Sequence, residues 1–213
     1  MSRESTRRPG RFITFEGIDG AGKSTQIDVV AQLLRDRGHD PVITREPGGT
    51  VLGEALRELI LQRPMSADTE TLLLFAARAE HLAQVIRPAL AEGRWVLSDR
   101  FTDATYAYQA GGRGVAESRI DALARWVHPD FGPDLTLLFD VPPEVAAQRL
   151  ARARAADRFE AEQLDFFSGV RQRYLALARH EPQRFVVVDG TRAPDELRAQ
   201  LTALLQQRLL EWK

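Results

Sequence analysis

The sequence contains no cysteine, which removes disulfides, thiolate zinc sites and cysteine nucleophiles from consideration. It also lacks any apolar run approaching the roughly 20 residues needed to cross a bilayer, so no membrane partner is expected. There is no excess of charge of either sign. With 29 basic against 30 acidic residues the net charge is -1, whereas proteins that coat polyanions usually carry a basic surplus, so no nucleic-acid partner is expected either. Any basic chemistry must be local. His81, His128 and His180 are scattered without ligand spacing and indicate no zinc site. Met1 to Arg11 is polar and arginine-rich with no apolar segment, unlike a secretory signal. A cytoplasmic protein is the expectation, with residues 1–10 a disordered extension and 11–213 a single domain.

What is present is enough apolar material for one sizeable core: 44% of 213 residues. Short β-rich runs alternate with longer helical patterns. Phe12–Phe15, Pro41–Thr44, Trp95–Ser98, Leu135–Phe139 and Phe185–Val188 read as strands. Lys23–Arg37, Val51–Leu61, Asp68–Ala91, Pro143–Arg154, Glu160–Arg179 and Pro194–Leu210 read as helices. Residues 103–128 look mostly helical, with a break at Gly111–Gly114. The alternation predicts an α/β fold: a five-stranded parallel sheet with helices on both faces. Continuous apolar strands such as 135–139 fit a buried parallel sheet, which has no wet face to demand alternation.

Gly17-Ile18-Asp19-Gly20-Ala21-Gly22-Lys23-Ser24 fits G-x-x-x-x-G-K-[ST] and stands between a predicted strand and a predicted helix. The residue types follow from the chemistry of a triphosphate. Glycines let backbone N–H groups wrap phosphate oxygens without Cβ clashes. The helix N-terminus adds the positive end of a dipole. Lys23 supplies a point charge for the β- and γ-phosphates, and the Ser24 hydroxyl reaches Mg²⁺. Gly17 to Thr25 is therefore the expected ATP-binding segment, with Mg²⁺ as cofactor. The motif alone does not separate a kinase from a GTPase, a motor or a transporter.

Other segments narrow the choice. Asp99-Arg100 ends the third strand, and sites in open α/β sheets form at carboxyl strand ends. An aspartate there binds Mg²⁺ through water, and an arginine holds a phosphate bidentately. Arg45-Glu46-Pro47-Gly48-Gly49-Thr50 follows the second strand and puts a further arginine at the same edge, in a turn set by Pro and Gly. An ordinary turn or a surface ion pair at a strand end would give the same residue types. No Asn-Lys-x-Asp guanine reader is present.

After residue 10 the chain resembles the bacterial thymidylate kinases over nearly its whole length. The resemblance is carried by Glu16 to Thr25, Thr44 to Thr50, Ala76-Ala77-Arg78, Ser98 to Arg100, Thr105 to Arg113, and Asp157 to Glu160. The Arg-Glu-Pro-Gly-Gly-Thr run and the Tyr108-Gln109 pair before Gly-Gly-Arg-Gly are its specific parts. The resemblance implies a P-loop nucleoside-monophosphate kinase that moves the ATP γ-phosphoryl group to dTMP, with roles for each matched residue. Arg45 and Arg100 would hold the dTMP phosphate. Asp19 would meet the acceptor sugar or organise Mg²⁺. Arg78 would reach a thymine oxygen and Thr105 the base edge. Tyr108 would crowd the sugar 2′ position, and Gln109 would line the same pocket. The family stacks thymine on an aromatic four residues before the arginine that matches Arg78. Here that position is Leu74 and the aromatic is Phe75, so either side chain is a candidate floor for the base. The P-loop carries no basic residue before Lys23, so a short helical lid near 149–160 is expected to supply charge, from Arg149, Arg152, Arg154 or Arg158, with Arg152 and Arg154 the preferred pair. The resemblance and the apolar helix 68–91 also imply a homodimer.

Overall fold

The computed structural model describes residues 10–151 and 164–212. Five parallel strands, β1 (Phe12–Glu16), β2 (Val42–Arg45), β3 (Val96–Asp99), β4 (Leu135–Asp140) and β5 (Phe185–Asp189), form one sheet in the order β2-β3-β1-β4-β5. Every β1 side chain is buried, as are the first five residues of β4. That burial requires cover on both faces, and flanking helices supply it. The edge strand β2 alternates between half-buried and exposed. The helices are α1 (Lys23–Arg35), α2 (Val51–Gln62), α3 (Ala67–His81), α4 (Arg87–Ala91), α5 (Thr102–Thr105), α6 (Glu117–Val127), α7 (Pro143–Ala151), α8 (Leu164–His180) and α9 (Pro194–Glu211). No helix among the described residues is long and apolar enough to cross a membrane.

Strand register is what positions the site. Phe15 and Arg45 both pair with Asp99. The carboxyl ends of β1, β2 and β3 therefore coincide, and the chain leaving each one emerges at one sheet edge. Those three exits are the Gly17 loop, the Glu46–Thr50 turn and Arg100.

Two helical expectations change in detail. The helix expected over 68–91 contains a π-helical turn, Leu82–Ile86, between α3 and α4. Pro88 has no N–H to give, and the Arg87 N–H bonds instead to the Leu82 carbonyl one residue further back. The break expected at Gly111–Gly114 falls at Gly114, where φ is 73°. Before it, Tyr106–Gly112 continues α5 as a π-helical segment. Gly112 serves proximity rather than a turn: a Cβ there would stand 2.4 Å from the Phe166 ring of α8. The ends of two predicted helices, the expected lid from residue 152 on with Arg152, Arg154 and Arg158, and residues 1–9 lie outside the described residues; Arg149, the first lid candidate, is in α7 and donates to the Gly190 carbonyl at 2.9 Å.

Candidate active site

β1 delivers the chain into Gly17–Ser24, and α1 begins at Lys23. Two glycines are required by geometry. Gly17 has φ 134°, and a Cβ on it would lie 2.5 Å from the Phe139 carbonyl oxygen. Gly22 precedes α1 in the left-handed region at φ 88°. The N-terminus of α1 has no side-chain cap and no acidic residue in its first turn. Its N–H groups are left for an anion, with the helix dipole behind them. Lys23 Nζ lies inside the loop, donating to the Gly17 and Ile18 carbonyls at 3.1 and 3.2 Å. Burial first, and then the Arg100 charge, lowers its pKa, which Asp99 and Asp19 oppose. The cradle expected from sequence, Gly17 through Thr25, is thus contiguous in space, with Ser24 and Thr25 exposed at the start of α1.

Beside it, Arg100 occupies the left-handed region at φ 74°, a strained conformation for a residue with a side chain. A buried carboxyl group holds the backbone there: the Phe101 N–H donates to Glu16 Oε1 at 2.8 Å, and the Tyr174 hydroxyl donates to Glu16 Oε2 at 2.7 Å. Burial, reinforced by Asp103, raises the Glu16 pKa to about 8. The outcome is an arginine aimed back at the P-loop. Its Nη2 donates to Asp19 at 2.9 Å and to the Tyr108 hydroxyl at 2.8 Å. That hydroxyl in turn donates to the other Asp19 oxygen at 3.3 Å. Sequence reading placed Glu16 only at the head of a motif; its role at Arg100 has no signature short of the fold.

Asp99 Oδ1 is buried and has no hydrogen-bond partner among the described residues. An unpartnered buried carboxylate oxygen near the start of α1 is the donor chemistry a hard divalent cation takes, directly or through water. Ser24 and Asp99 therefore fit the Mg²⁺ expected from the motif.

A cleft opens between these groups and α2, α3 and the Tyr106–Gly112 segment. Its walls include Asp19, Arg45, Arg57, Leu74, Arg78, Arg100, Phe101, Thr105, Tyr108 and Gln109. The Glu54 carboxylate joins two parts of one end: it accepts from Arg45 Nη2 at 2.7 Å and from the Gly49 N–H at 2.9 Å. These bonds hold its pKa below the usual carboxylate range. Arg57, which the sequence reading missed, donates to the Pro47 carbonyl at 2.9 Å. Burial lowers its pKa, and Arg45 and Arg100 lower it further. Three guanidinium groups pressing on one another at one end of a cleft suit an anion. The available signal for Arg57 was its i, i+3, i+4 spacing with Ile60 and Leu61, which line the same cleft.

The other end is neutral and directional. Arg78 is buried, with Nε on Glu46 Oε2 at 2.7 Å and Nη2 donating to Thr105 Oγ1 at 3.0 Å and the Phe101 carbonyl at 3.2 Å. Its Nη1 is buried with no partner. Glu46 is also bonded to His81 Nδ1 at 2.9 Å, and His81 Nε2 to Thr44 Oγ1 at 2.6 Å. Arg78 keeps the Glu46 pKa low against its burial, and His81 adds to the effect. Gln109 lines the same cleft, with its amide nitrogen on Glu70 at 2.7 Å.

The candidate floor divides between the two neighbours on α3. Leu74 lines the cleft. Phe75 does not: it is 2% exposed, packs with Val115 and Ile120, and carries the Arg78 guanidinium 4.7 Å above its ring. Successive helical residues point about 100° apart, so cleft and core cannot share both. Phe75 supports Arg78 from behind instead of facing a base. Phe101 and Tyr108 are the aromatic residues on the cleft wall, and Phe101, 1% exposed, packs its ring in the core against Phe12 and Phe131.

Comparison with known proteins identifies a family. The family model described as thymidylate kinase matches residues 15–201. The chain is 60% identical over 198 residues to the thymidylate kinase of Thiobacillus denitrificans, covering 93% of this chain and 97% of that protein. It is 57% identical to the thymidylate kinase of Methylobacillus flagellatus, over 93% of this chain and 98% of the relative. Among solved structures, thymidylate kinase from Ehrlichia chaffeensis superposes with a TM-score of 0.75 at 34% identity, covering 92% of this chain and 99% of the other.

Proposed function

The chain belongs to the thymidylate kinase family, and from that membership we propose that it transfers the γ-phosphoryl group of ATP to dTMP, giving dTDP and ADP, at the cleft beside the Gly17–Ser24 cradle. The observation that carries the residue assignment is the convergence of Arg45, Arg57 and Arg100 on one end of that cleft.

Phosphoryl transfer asks for position and charge more than covalent chemistry. The Gly17–Thr25 backbone and Lys23 hold the ATP phosphates. Arg45, Arg57 and Arg100 hold the dTMP phosphate and screen its repulsion from the donor. An oxygen of that phosphate attacks the γ-phosphorus as the bond to the β-bridging oxygen breaks, and ADP leaves with the electron pair. The acceptor is already anionic, so no strong general base is assigned. Asp19, held by Arg100 and Tyr108, stands between the two phosphate regions. Ser24 and Asp99 would hold Mg²⁺, which would neutralise charge on the phosphates. At the other end, Arg78 Nη1 and Thr105 face the base edge, Leu74 one of its faces, and Tyr108 the sugar.

The lid arginines, Arg152 and Arg154 first, are assigned to charge developing on the transferred group. A homodimer is also part of this reading. α2 packs on α3 and α3 on α6, and all three leave large apolar side chains exposed: Leu52, Leu59, Leu72 and Trp126. Sedimentation giving only monomer at micromolar protein would reject the dimer. The catalytic assignment is tested by coupled ADP release with ATP, Mg²⁺ and each monophosphate in turn. Strong preference for dTMP supports it; ATP consumption indifferent to any monophosphate sinks it.

A further inference from the structure

Gln109 and Glu70 are both almost completely buried, at 2% and 1% exposure. Gln109 comes from the π-helical segment and Glu70 from the first turn of α3. The bond between them, Gln109 Nε2 to Glu70 Oε1 at 2.7 Å, has a consequence for what the cleft can recognise. A carboxamide presents two donors on one side and an acceptor on the other, and its orientation is decided by its surroundings. An ionised carboxylate only accepts, so the amide edge that meets Glu70 must be the NH2. Arg113 Nε stands 3.9 Å from the same Glu70 oxygen. With the nitrogen committed to Glu70, the atom Gln109 offers the cleft is the carbonyl oxygen.

We infer that Glu70 is a positioning residue for base selection: by locking the Gln109 amide it turns an acceptor toward the acceptor-nucleotide base and selects a pyrimidine imide over cytosine. This rests on the reading of the cleft as the monophosphate site. Thymine and uracil carry a proton on N3, which the Gln109 oxygen accepts. Cytosine carries a lone pair there, and oxygen would face lone pair. Arg78 adds a second reading at the neighbouring position. Its unpartnered Nη1 donor suits the 4-oxo group of thymine and opposes the 4-amino group of cytosine. The two residues together present donor and acceptor in the order that complements a pyrimidine imide. If the Gln109 amide turned over, its NH2 would complement cytosine N3, so discrimination depends on a residue in no contact with the substrate.

The test is steady-state kinetics of Glu70→Gln and Glu70→Met with dTMP and dCMP, together with KM for ATP and thermal melting. Glutamine keeps the length but pairs with Gln109 in either amide orientation; methionine keeps the bulk and removes the acceptor. Both variants are expected to raise KM for dTMP about ten-fold, the worth of one neutral hydrogen bond, while KM for ATP and kcat at saturating dTMP stay within about two-fold. The ratio of kcat/KM for dTMP over dCMP should fall about ten-fold or more, and further for methionine than for glutamine. A dTMP/dCMP ratio unchanged in the folded Glu70→Gln variant overturns the inference, whatever happens to KM, because a purely structural role would weaken both substrates alike. If Glu70→Met fails to fold, Glu70→Gln alone decides. Wild-type protein inactive on dTMP would overturn the proposed function itself; wild-type activity on dTMP with an unaltered ratio in the variants overturns only the role of Glu70.

Discussion

In the proposed reading, the donor cradle and the acceptor cleft share an edge of one sheet and are built from opposite materials. The cradle is contiguous, Gly17 to Thr25, and its recognition comes from backbone N–H groups, a helix end and one lysine. The cleft is discontinuous. Its walls come from the β2 turn, α2, α3, the end of β3 and the Tyr106–Gly112 segment, and its recognition comes from side chains. Those side chains are held by carboxyl partners: the part-exposed Glu54 for Arg45, and the buried Glu46 for Arg78, Glu70 for Gln109, and Glu16 for the backbone at Arg100. A backbone site tolerates change in any side chain that leaves the loop intact. A side-chain site inherits the stability and ionisation of its supports.

That contrast can be broken in four places. Lys23→Ala should lower kcat about 100-fold or more, by analogy with loss of one preorganised electrostatic donor, with little change in KM for dTMP or in melting temperature. Arg78→Ala should act on both affinity and fold. It leaves Glu46 buried with its guanidinium gone, so KM for dTMP should rise at least about ten-fold, and denaturant melts should show a loss on the order of 3 kcal/mol. A pure binding effect with unchanged stability would show that Glu46 does not depend on Arg78.

Glu16 provides the third test, through pH. Its folded pKa of about 8 lies above the ordinary 4.5, so the native state prefers the protonated acid. Between those values the unfolded chain binds fewer protons than the folded one, and stability falls as pH rises. Glu16→Gln mimics the neutral acid and should flatten this slope, a difference of a few kcal/mol at most across pH 4.5 to 8. Parallel pH profiles for wild type and variant would contradict it. The smallest effects separate the neighbours on α3. Leu74→Ala should raise KM for dTMP a few-fold with modest stability loss. Phe75→Leu should leave KM nearly unchanged and cost about 1 kcal/mol in denaturant melts.

Legibility in the sequence follows the same division. The five strands, their parallel arrangement and the cradle could be read directly, because periodicity, apolar runs and a contiguous motif carry them. Arg45, Arg78, Arg100, Thr105, Tyr108 and Gln109 were assigned through the family resemblance, and they line one cleft. What escaped was support and direction. The α3 pattern left Leu74 and Phe75 open because both are apolar, and only the helix's rotation against its neighbours separates cleft from core. Arg57 looked like any charged residue on an amphipathic helix. Glu16, Glu46 and Glu70 became visible only when strand register and helix packing brought their partners to them. The helix through Gly111 and Gly112 was misjudged because glycine signals both a turn and a close approach, and here α8 makes the approach.

The most direct measurement is a crystal structure of the protein with ADP and dTMP bound together. The dTMP phosphate should lie among Arg45, Arg57 and Arg100 beside the Gly17–Ser24 loop, with N3 of thymine on the Gln109 oxygen and the 4-oxo group on Arg78. A dTMP molecule bound with its phosphate away from those three arginines would contradict the account.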